Sequence, residues 1–226
     1  FPEPNKHTGH YVVMGADWGM VHDYTALSVF CSNCACELEL DRFNQNEWAL
    51  QRERLITLYR KWNVQYVLAE ENAIGQPNIE ALHNDGIPIE GFKTTMQSKG
   101  QIIRSLSLCL ERNEARWRDI PVATGELEAY EAKVSKITGL ISYSAPEGMH
   151  DDTVMARALA LAAYQRGMAP TTPQALVFSA ITVIEGDSNL PDQQMVPTDD
   201  GMALSYRGGY DRTLYAAAPG LRYAQR

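Results

Sequence analysis

Apolar residues in this chain come in short runs broken by polar turns, and two of those runs end in acids. Residues 11–17 (YVVMGAD) form an apolar stretch that closes on Asp17, with Gly19 just beyond, the pattern of a buried strand opening into a turn. Residues 25–33 (TALSVFCSN) and 37–44 (ELELDRFN) follow as two further strands, the second marked by its alternation, and the three are expected to form an antiparallel meander. Helical spacing of Trp48, Leu50, Leu55, Ile56, Leu58, Tyr59 and Trp62 predicts a helix over 46–62. A buried strand over 64–71 (VQYVLAEE) again ends in acid. Next come a short helix over 77–86 with Gly86 at its C-terminal end, a strand over 87–94, and an amphipathic helix over 98–117 with Ile102, Ile103, Leu106, Leu110 and Trp117 on one face. A shorter helix over 125–136 and an extended segment over 140–146 lead to an alanine-rich helix behind Asp151 and Asp152. This order predicts an α/β domain over 10–167: a mixed sheet, with strands one to three antiparallel and the remainder parallel, and helices on both faces.

The acids give that plan a chemistry. Asp17 and Glu70 both end apolar strands, and ligands collect at the carboxyl ends of strands in open α/β sheets. If strands one and four are parallel neighbours, the two carboxylates face each other. Asp151 and Asp152 open a helix whose Ala156, Ala158, Ala160, Ala162 and Ala163 permit close approach to the sheet, so its N-terminus would complete the cluster. One of the two adjacent aspartates is expected simply to cap the helix. Unpaired, the cluster would repel itself and its pKa values would rise. Two Mg²⁺ or Mn²⁺ ions, about 3.5–4 Å apart and sharing one carboxylate, would resolve the conflict and suit phosphodiester hydrolysis.

Composition changes the picture in three places. The formal net charge of -8 argues against nucleic acid, but residues 167–206 contain no Lys, Arg or His and hold five acids, Glu185, Asp187, Asp192, Asp199 and Asp200. After Gly167 the chain becomes a Pro-, Gly- and Asp-rich tail, 168–226, with one apolar run at 175–184 that predicts a strand. No run of about 18 apolar residues is present, and the first ten residues lack the basic and apolar regions of a signal peptide. Residues 1–9 begin without Met and are expected to be a linker remnant from an upstream domain. Four cysteines, three of them in CSNCAC (31–36), are too few for a disulfide framework and suit a reducing compartment. Their C-x-x-C is half of a zinc site, but neither C-x-x-C nor H-x₃-H follows downstream, so the segment is expected to be a hairpin tip. The stretch GIPIEGFKT (86–94) misses the phosphate-loop pattern because Phe92 intervenes between Gly91 and Lys93.

Four stretches, GADWGMVHDYTALSV (15–29), VLAEENAIGQP (67–77), TMQSKGQIIRSLSLCLERNEARW (95–117) and YSAPEGMHDDTVMARALALAAY (143–164), resemble the nuclease domain of the large terminase subunit of tailed bacteriophages. The resemblance covers about 11–166 and implies an RNase H-like, RuvC-type fold. It implies metal-binding and catalytic roles for Asp17, Glu70 and the pair Asp151/Asp152, with Asp152 favoured, and Glu71 as the alternative if the strand register differs by one. His150 matches the histidine before the acids, with a contact to phosphate or a simple loop cap as its two roles. Asp23 is expected to form a turn or support the metal ligands. Lys99 matches a basic residue opening a helix, where it would touch a phosphate, with Lys93 and Arg104 as further rim contacts. The implied activity is metal-dependent cutting of concatemeric double-stranded viral DNA during genome packaging, with little base readout, in the cytoplasm of the host cell. The implied partners are an ATPase domain in the same polypeptide, the portal protein and the small terminase subunit. No membrane is involved, and the isolated domain is expected to be monomeric. The alternatives are another RuvC-like nuclease, a resolvase or transposase, and a catalytically silent DNA-binding or assembly module on the same fold. An actin-like or sugar-kinase-like phosphate binder lacks here its second phosphate loop.

Overall fold

A computed structural model of the chain describes residues 3–19, 23–44, 47–72, 75–134 and 141–167, and the backbone of 194–198 and 201–205. The strand expected over 175–184 lies outside the described residues. The chain divides into two compact units, and Pro170–Ala217 is the second. Among its described residues that unit holds an antiparallel hairpin, Gln194–Thr198 with Gly201–Ser205.

The first unit is built on a five-stranded sheet. Its strands are β1 (Val12–Asp17), β2 (Thr25–Cys31), β3 (Cys36–Phe43), β4 (Tyr66–Glu70) and β5 (Ile89–Phe92), in the spatial order β3-β2-β1-β4-β5. β1, β2 and β3 form the antiparallel meander, and β4 and β5 join parallel to β1. The helices are α1 (Trp48–Trp62), α2 (Gln76–Asn84), α3 (Met96–Glu111), α4 (Pro121–Ala129) and α5 (Asp152–Gly167). A small antiparallel pair, β6 (Glu131–Val134) and β7 (Ile141–Ser144), lies between α4 and α5 in the chain.

β1 is buried along its whole length, and its side chains alternate between two cores. Val12, Met14 and Ala16 pack with Leu55, Leu58 and Trp62 of α1 and Leu82 of α2, while Val13 packs with Ile103 and Leu106 of α3 and Leu159 of α5. A strand covered on both faces is apolar throughout, the signature of parallel sheets in α/β proteins.

Two predicted helices end earlier than their apolar spacing suggests. The helix over 98–117 stops at Glu111, because Asn113 adopts the left-handed conformation (φ 52°) and turns the chain back. The Arg116 amide then donates to the Ala35 carbonyl, and the Glu37 amide to the Arg116 carbonyl, so this stretch joins the edge of β3 and lays Trp117 against Phe30. The helix over 125–136 is instead α4 followed by β6, with Tyr130 extended between them.

α5 is held closest to the sheet. A Cβ added at Gly15 would stand 2.1 Å from the Ala156 carbonyl oxygen and 2.3 Å from the Ala160 amide, so only glycine on β1 admits the helix at this distance. Every residue of α5 from Asp152 to Ala163 is buried, including Arg157.

Candidate active site

β1 and β4 run parallel with Ala16 beside Ala69, so their last residues, Asp17 and Glu70, emerge together at one end of the sheet. The loop after Asp17 is fixed from below. Thr25 donates its hydroxyl to Gln51 Oε1 at 2.7 Å and accepts from the Gly19 amide at 3.0 Å, and the Gln51 amide donates to the Gly19 carbonyl at 3.1 Å. Beyond Glu70, the Asn72 amide donates to Glu70 Oε1 at 3.0 Å and orients it. The chain then folds tightly over β4, where a Cβ at Gly75 would stand 2.0 Å from the Glu70 carbonyl oxygen. Within VLAEENAIGQP, Glu70, Asn72 and Gly75 are thus an acid, the residue that orients it and the glycine that lets the chain pass.

Against these two acids the structure places the start of α5. Asp17, Glu70, Asp151 and Asp152 line one cleft of about 210 Å³, together with Trp18, Asp23, Lys99, Met149, His150 and Met155. The Asp17 carboxyl is in hydrogen-bonding contact with Glu70, and its pKa is held well above the usual carboxylate range by burial first, then by the charges of Glu70, Asp152 and Asp151. Burial and the adjacent Glu126 push Asp152 up to about 6, against the opposing pull of Arg42 and His150. Asp152 is only 7% exposed, and its Oδ2 has no hydrogen-bond partner among the described residues. Arg42 lies 3.6 Å and the His150 ring 3.8 Å from it.

Asp151 is more exposed and receives a hydrogen bond from Lys99 Nζ at 3.0 Å; its carbonyl accepts from the Met155 amide, the capping position of α5. The two adjacent aspartates are therefore distinct, one tied to a lysine, the other buried with an unpartnered oxygen. His150 stacks edge-on against Tyr24, with ring centroids 5.0 Å apart, and its Nδ1 lies 4.0 Å from Asp23 Oδ1. Asp23, His150 and Asp152 each offer a ligand atom within 4.8 Å of the others.

Three expected site residues lie elsewhere. Glu71 turns against Gly91 of β5, outside the cleft, because successive residues of a strand point to opposite faces. Lys93 is exposed in the turn before α3, and Arg104 donates to the Gly100 carbonyl within α3; neither lines the cleft. Lys99 does, because it faces α5 one turn into α3, whose start is fixed by a reciprocal Thr95–Ser98 capping box.

Two residues that support the site carry no signal in the sequence. Glu126 of α4 accepts the Thr153 amide at 2.9 Å and the Thr153 hydroxyl, satisfying the N-terminus of α5, while Arg42 of β3 bridges Glu126 at 2.8 Å and approaches Asp152. Arg42 also lies flat on Tyr24, 3.4 Å from the ring centroid. They are contributed by elements distant in sequence, and only the fold brings them together.

Divalent cations suit this donor set. Five carboxylates line the cleft with one lysine among them, one oxygen is buried without a hydrogen-bond partner, and the pKa values of Asp17 and Asp152 are raised by burial first and by neighbouring carboxylates second. Hard oxygen ligands in such number match Mg²⁺ or Mn²⁺.

No family model matches the chain. The large terminase subunits of Thermus virus P23-45 and Thermus phage G20c are each 28% identical to it over 157 residues. That match takes in 69% of this chain and 32% of each relative, so the chain spans about a third of their length. The crystal structure of the large terminase nuclease from thermophilic phage G20c superposes with a TM-score of 0.64 at 28% identity, over 69% of this chain and 83% of that one. The magnesium-bound form of the same nuclease gives 0.63, over 70% and 82%. The nuclease domain of the bacteriophage SPP1 large terminase, with bound manganese, shares the fold at a TM-score of 0.52 and 19% identity, over 70% and 87%. In sequence the first unit of this chain is similar to the nuclease domains of phage large terminase subunits, and it shares their RNase H-like fold.

Proposed function

We propose that this chain is a metal-dependent endonuclease that cuts double-stranded viral DNA during genome packaging. The observation that carries the reading is the meeting of Asp17, Glu70 and the pair Asp151/Asp152 in one cleft at the carboxyl end of two parallel strands. The magnesium-, cobalt- and manganese-bound forms of the similar nucleases support it.

Asp17 interacts with Glu70, Asp152 and Asp151 together, and it would hold the ions with them. Glu70 and Asp152 would complete the ligation, with Asp152 the better ligand of the pair because its Oδ2 is buried without a partner. Bound Mg²⁺ or Mn²⁺ would activate a water and stabilise the leaving oxygen of a phosphodiester. Glu126 and Arg42 hold the start of α5 and so position Asp152. Lys99 neutralises Asp151 here and is within reach of a phosphate entering the cleft, and His150 is placed to hydrogen-bond the same group. Phosphate-directed contacts of this kind carry little sequence preference. Lys93 and Arg104 do not line the cleft and would meet the duplex beyond it. An ATPase domain in the same polypeptide, the portal protein and the small terminase subunit are the proposed partners, and the host cytoplasm the place of action.

The test is supercoiled plasmid incubated with the chain and Mg²⁺ or Mn²⁺, beside EDTA and Asp17→Asn. Nicking and linearisation that need the metal and Asp17 are expected. Intact plasmid in every metal would favour a DNA-binding or assembly module, and selective cutting of four-way junctions by a dimer would favour a resolvase.

A further inference from the structure

The C-x-x-C at Cys31 and Cys34 has no partner pair downstream, but one stands upstream. His7 and His10 have the same spacing, and the fold closes them onto the two cysteines. His7 ends a 3-10 turn (Pro4–His7), the His10 amide donates to the His7 carbonyl, and Gly9 between them takes a positive φ of 78°, so both imidazoles present on one side. Cys31 ends β2 and Cys34 lies in the turn to β3, which Ala35 closes in the left-handed conformation. That turn is tied to the incoming chain, since the Ser32 amide donates to the Tyr11 carbonyl and Asn33 accepts the Tyr11 amide.

The donor atoms already stand at spacings that a tetrahedral site would have. His10 Nδ1 is 3.3 Å from Cys31 Sγ and 3.4 Å from Cys34 Sγ, and His7 Nδ1 is 3.7 Å from Cys34 Sγ. All four donor atoms lie within 4.8 Å of one another. Zinc with bonds of about 2.3 Å to sulfur and about 2.0–2.1 Å to nitrogen sets sulfur–nitrogen edges of about 3.6 Å. The backbone amides of Asn33 and Cys34 both hydrogen-bond Cys31 Sγ, which fixes the sulfur in the turn. Both cysteines are free.

We propose that His7, His10, Cys31 and Cys34 form a structural zinc site, separate from the acid cleft. Two thiolates and two imidazoles select zinc over the hard cations suited to the carboxylates. Four protein ligands leave no open position, so the site holds structure rather than performing chemistry. It lies at the start of β1, whereas Asp17 lies at its end, a separation of about 17 Å along the strand. The ion would fasten the segment before β1 to the β2–β3 turn, beside Trp62 at the end of α1, whose ring stands edge-on to His7 at 6.0 Å. Cys36, opposite Cys31 in the β2–β3 register, is outside the set of four.

The test uses the whole chain, purified under reducing conditions, stripped with a chelator and titrated with Co²⁺. A tetrahedral site with two thiolates gives an intense visible spectrum and a sulfur-to-cobalt charge-transfer band, which oxygen ligands in the acid cleft do not. One equivalent of Co²⁺ giving that band, displaced by one equivalent of Zn²⁺, is expected for the wild type, for Cys36→Ser and for Asp17→Asn. Cys34→Ser and His10→Ala should lose it. The wild-type titration stands even if a variant fails to fold. Adding Zn²⁺ to the stripped chain should raise Tm in the wild type and leave Cys34→Ser unchanged. A cobalt spectrum without the thiolate band, or a band that survives Cys34→Ser, overturns the proposal, as does a Cys31–Cys34 disulfide in freshly reduced protein that takes up no metal.

Discussion

At the scale of single residues, the cleft gathers buried carboxylates that oppose one another's ionisation. Asp17→Asn removes one of the charges that Asp17, Glu70, Asp151 and Asp152 impose on each other. It should abolish metal-dependent cutting while raising the Tm of the metal-free protein by a few degrees, separable by plasmid assay and thermal melt. Burial, with Glu126 beside it, gives Asp152 a pH sign. Asp152 is raised to about 6, so its protonated form is favoured in the folded state, and that contribution is complete below the ordinary carboxylate range and lost as pH rises through about 6. The groups facing it, Glu126, Asp151, Arg42 and His150, are those already described. Mg²⁺ should accordingly stabilise the chain more at pH 8 than at pH 5, measured as the shift in Tm on adding the ion at each pH. Glu70 and Glu71 provide a further contrast. Glu70→Gln should reduce cutting below detection and Glu71→Gln should leave it near wild type, because only the first lines the cleft.

At the scale of elements, α5 is the part the site depends on most, and the buried ion pair on its inner face decides its place. Arg157, 1% exposed, donates through Nε and Nη2 to both Glu37 oxygens at 3.0 and 2.8 Å, and Ser28 and the Arg118 amide complete the Glu37 shell. Removing one member leaves an uncompensated buried charge, at a cost of about 3–5 kcal/mol. Arg157→Met should lower stability by that amount in a denaturant melt, and Glu37→Leu added to it should recover most of the loss. At Gly15, a methyl group would meet the backbone of α5, and packed cores resist such insertions by about 1–3 kcal/mol. Gly15→Ala should also slow cutting, since pushing α5 outward moves Asp152 away from Asp17. The alanines of α5 foretell a close approach in the sequence, but the arginine among them looks out of place there. Its partner Glu37 is 120 residues earlier, and no spacing rule reaches that far.

At the scale of the molecule, the acids at strand ends were legible because a strand period and a terminal acid are local patterns, and so was the alternation of apolar runs that gives five strands and their helices. What stayed hidden was the pairing of distant elements. Trp117, on the apolar face of a predicted helix, belongs to a segment bridged to β3, and the acids of the cleft are supported by Glu126 and Arg42, whose roles depend on three elements meeting. The zinc donors were divided in the same way: C-x-x-C and H-x-x-H are each visible, but their order in the sequence is reversed from the usual search.

The division of the chain permits one last prediction. Every residue lining the cleft falls between Asp17 and Met155, and the two hydrophobic cores run from Val12 to Ala163 among the described residues. Among the described residues, those that line the acid cleft and pack α5 all precede 168. A chain ended at Gly167 should fold with a Tm close to that of the whole chain and cut plasmid in Mn²⁺ at a similar rate. Any deficit should appear instead in assays with the rest of a packaging machine, where 168–226 would have a partner to meet. If the shortened chain melts lower or stops cutting while remaining folded, the activity or the fold depends on residues after 167 as well.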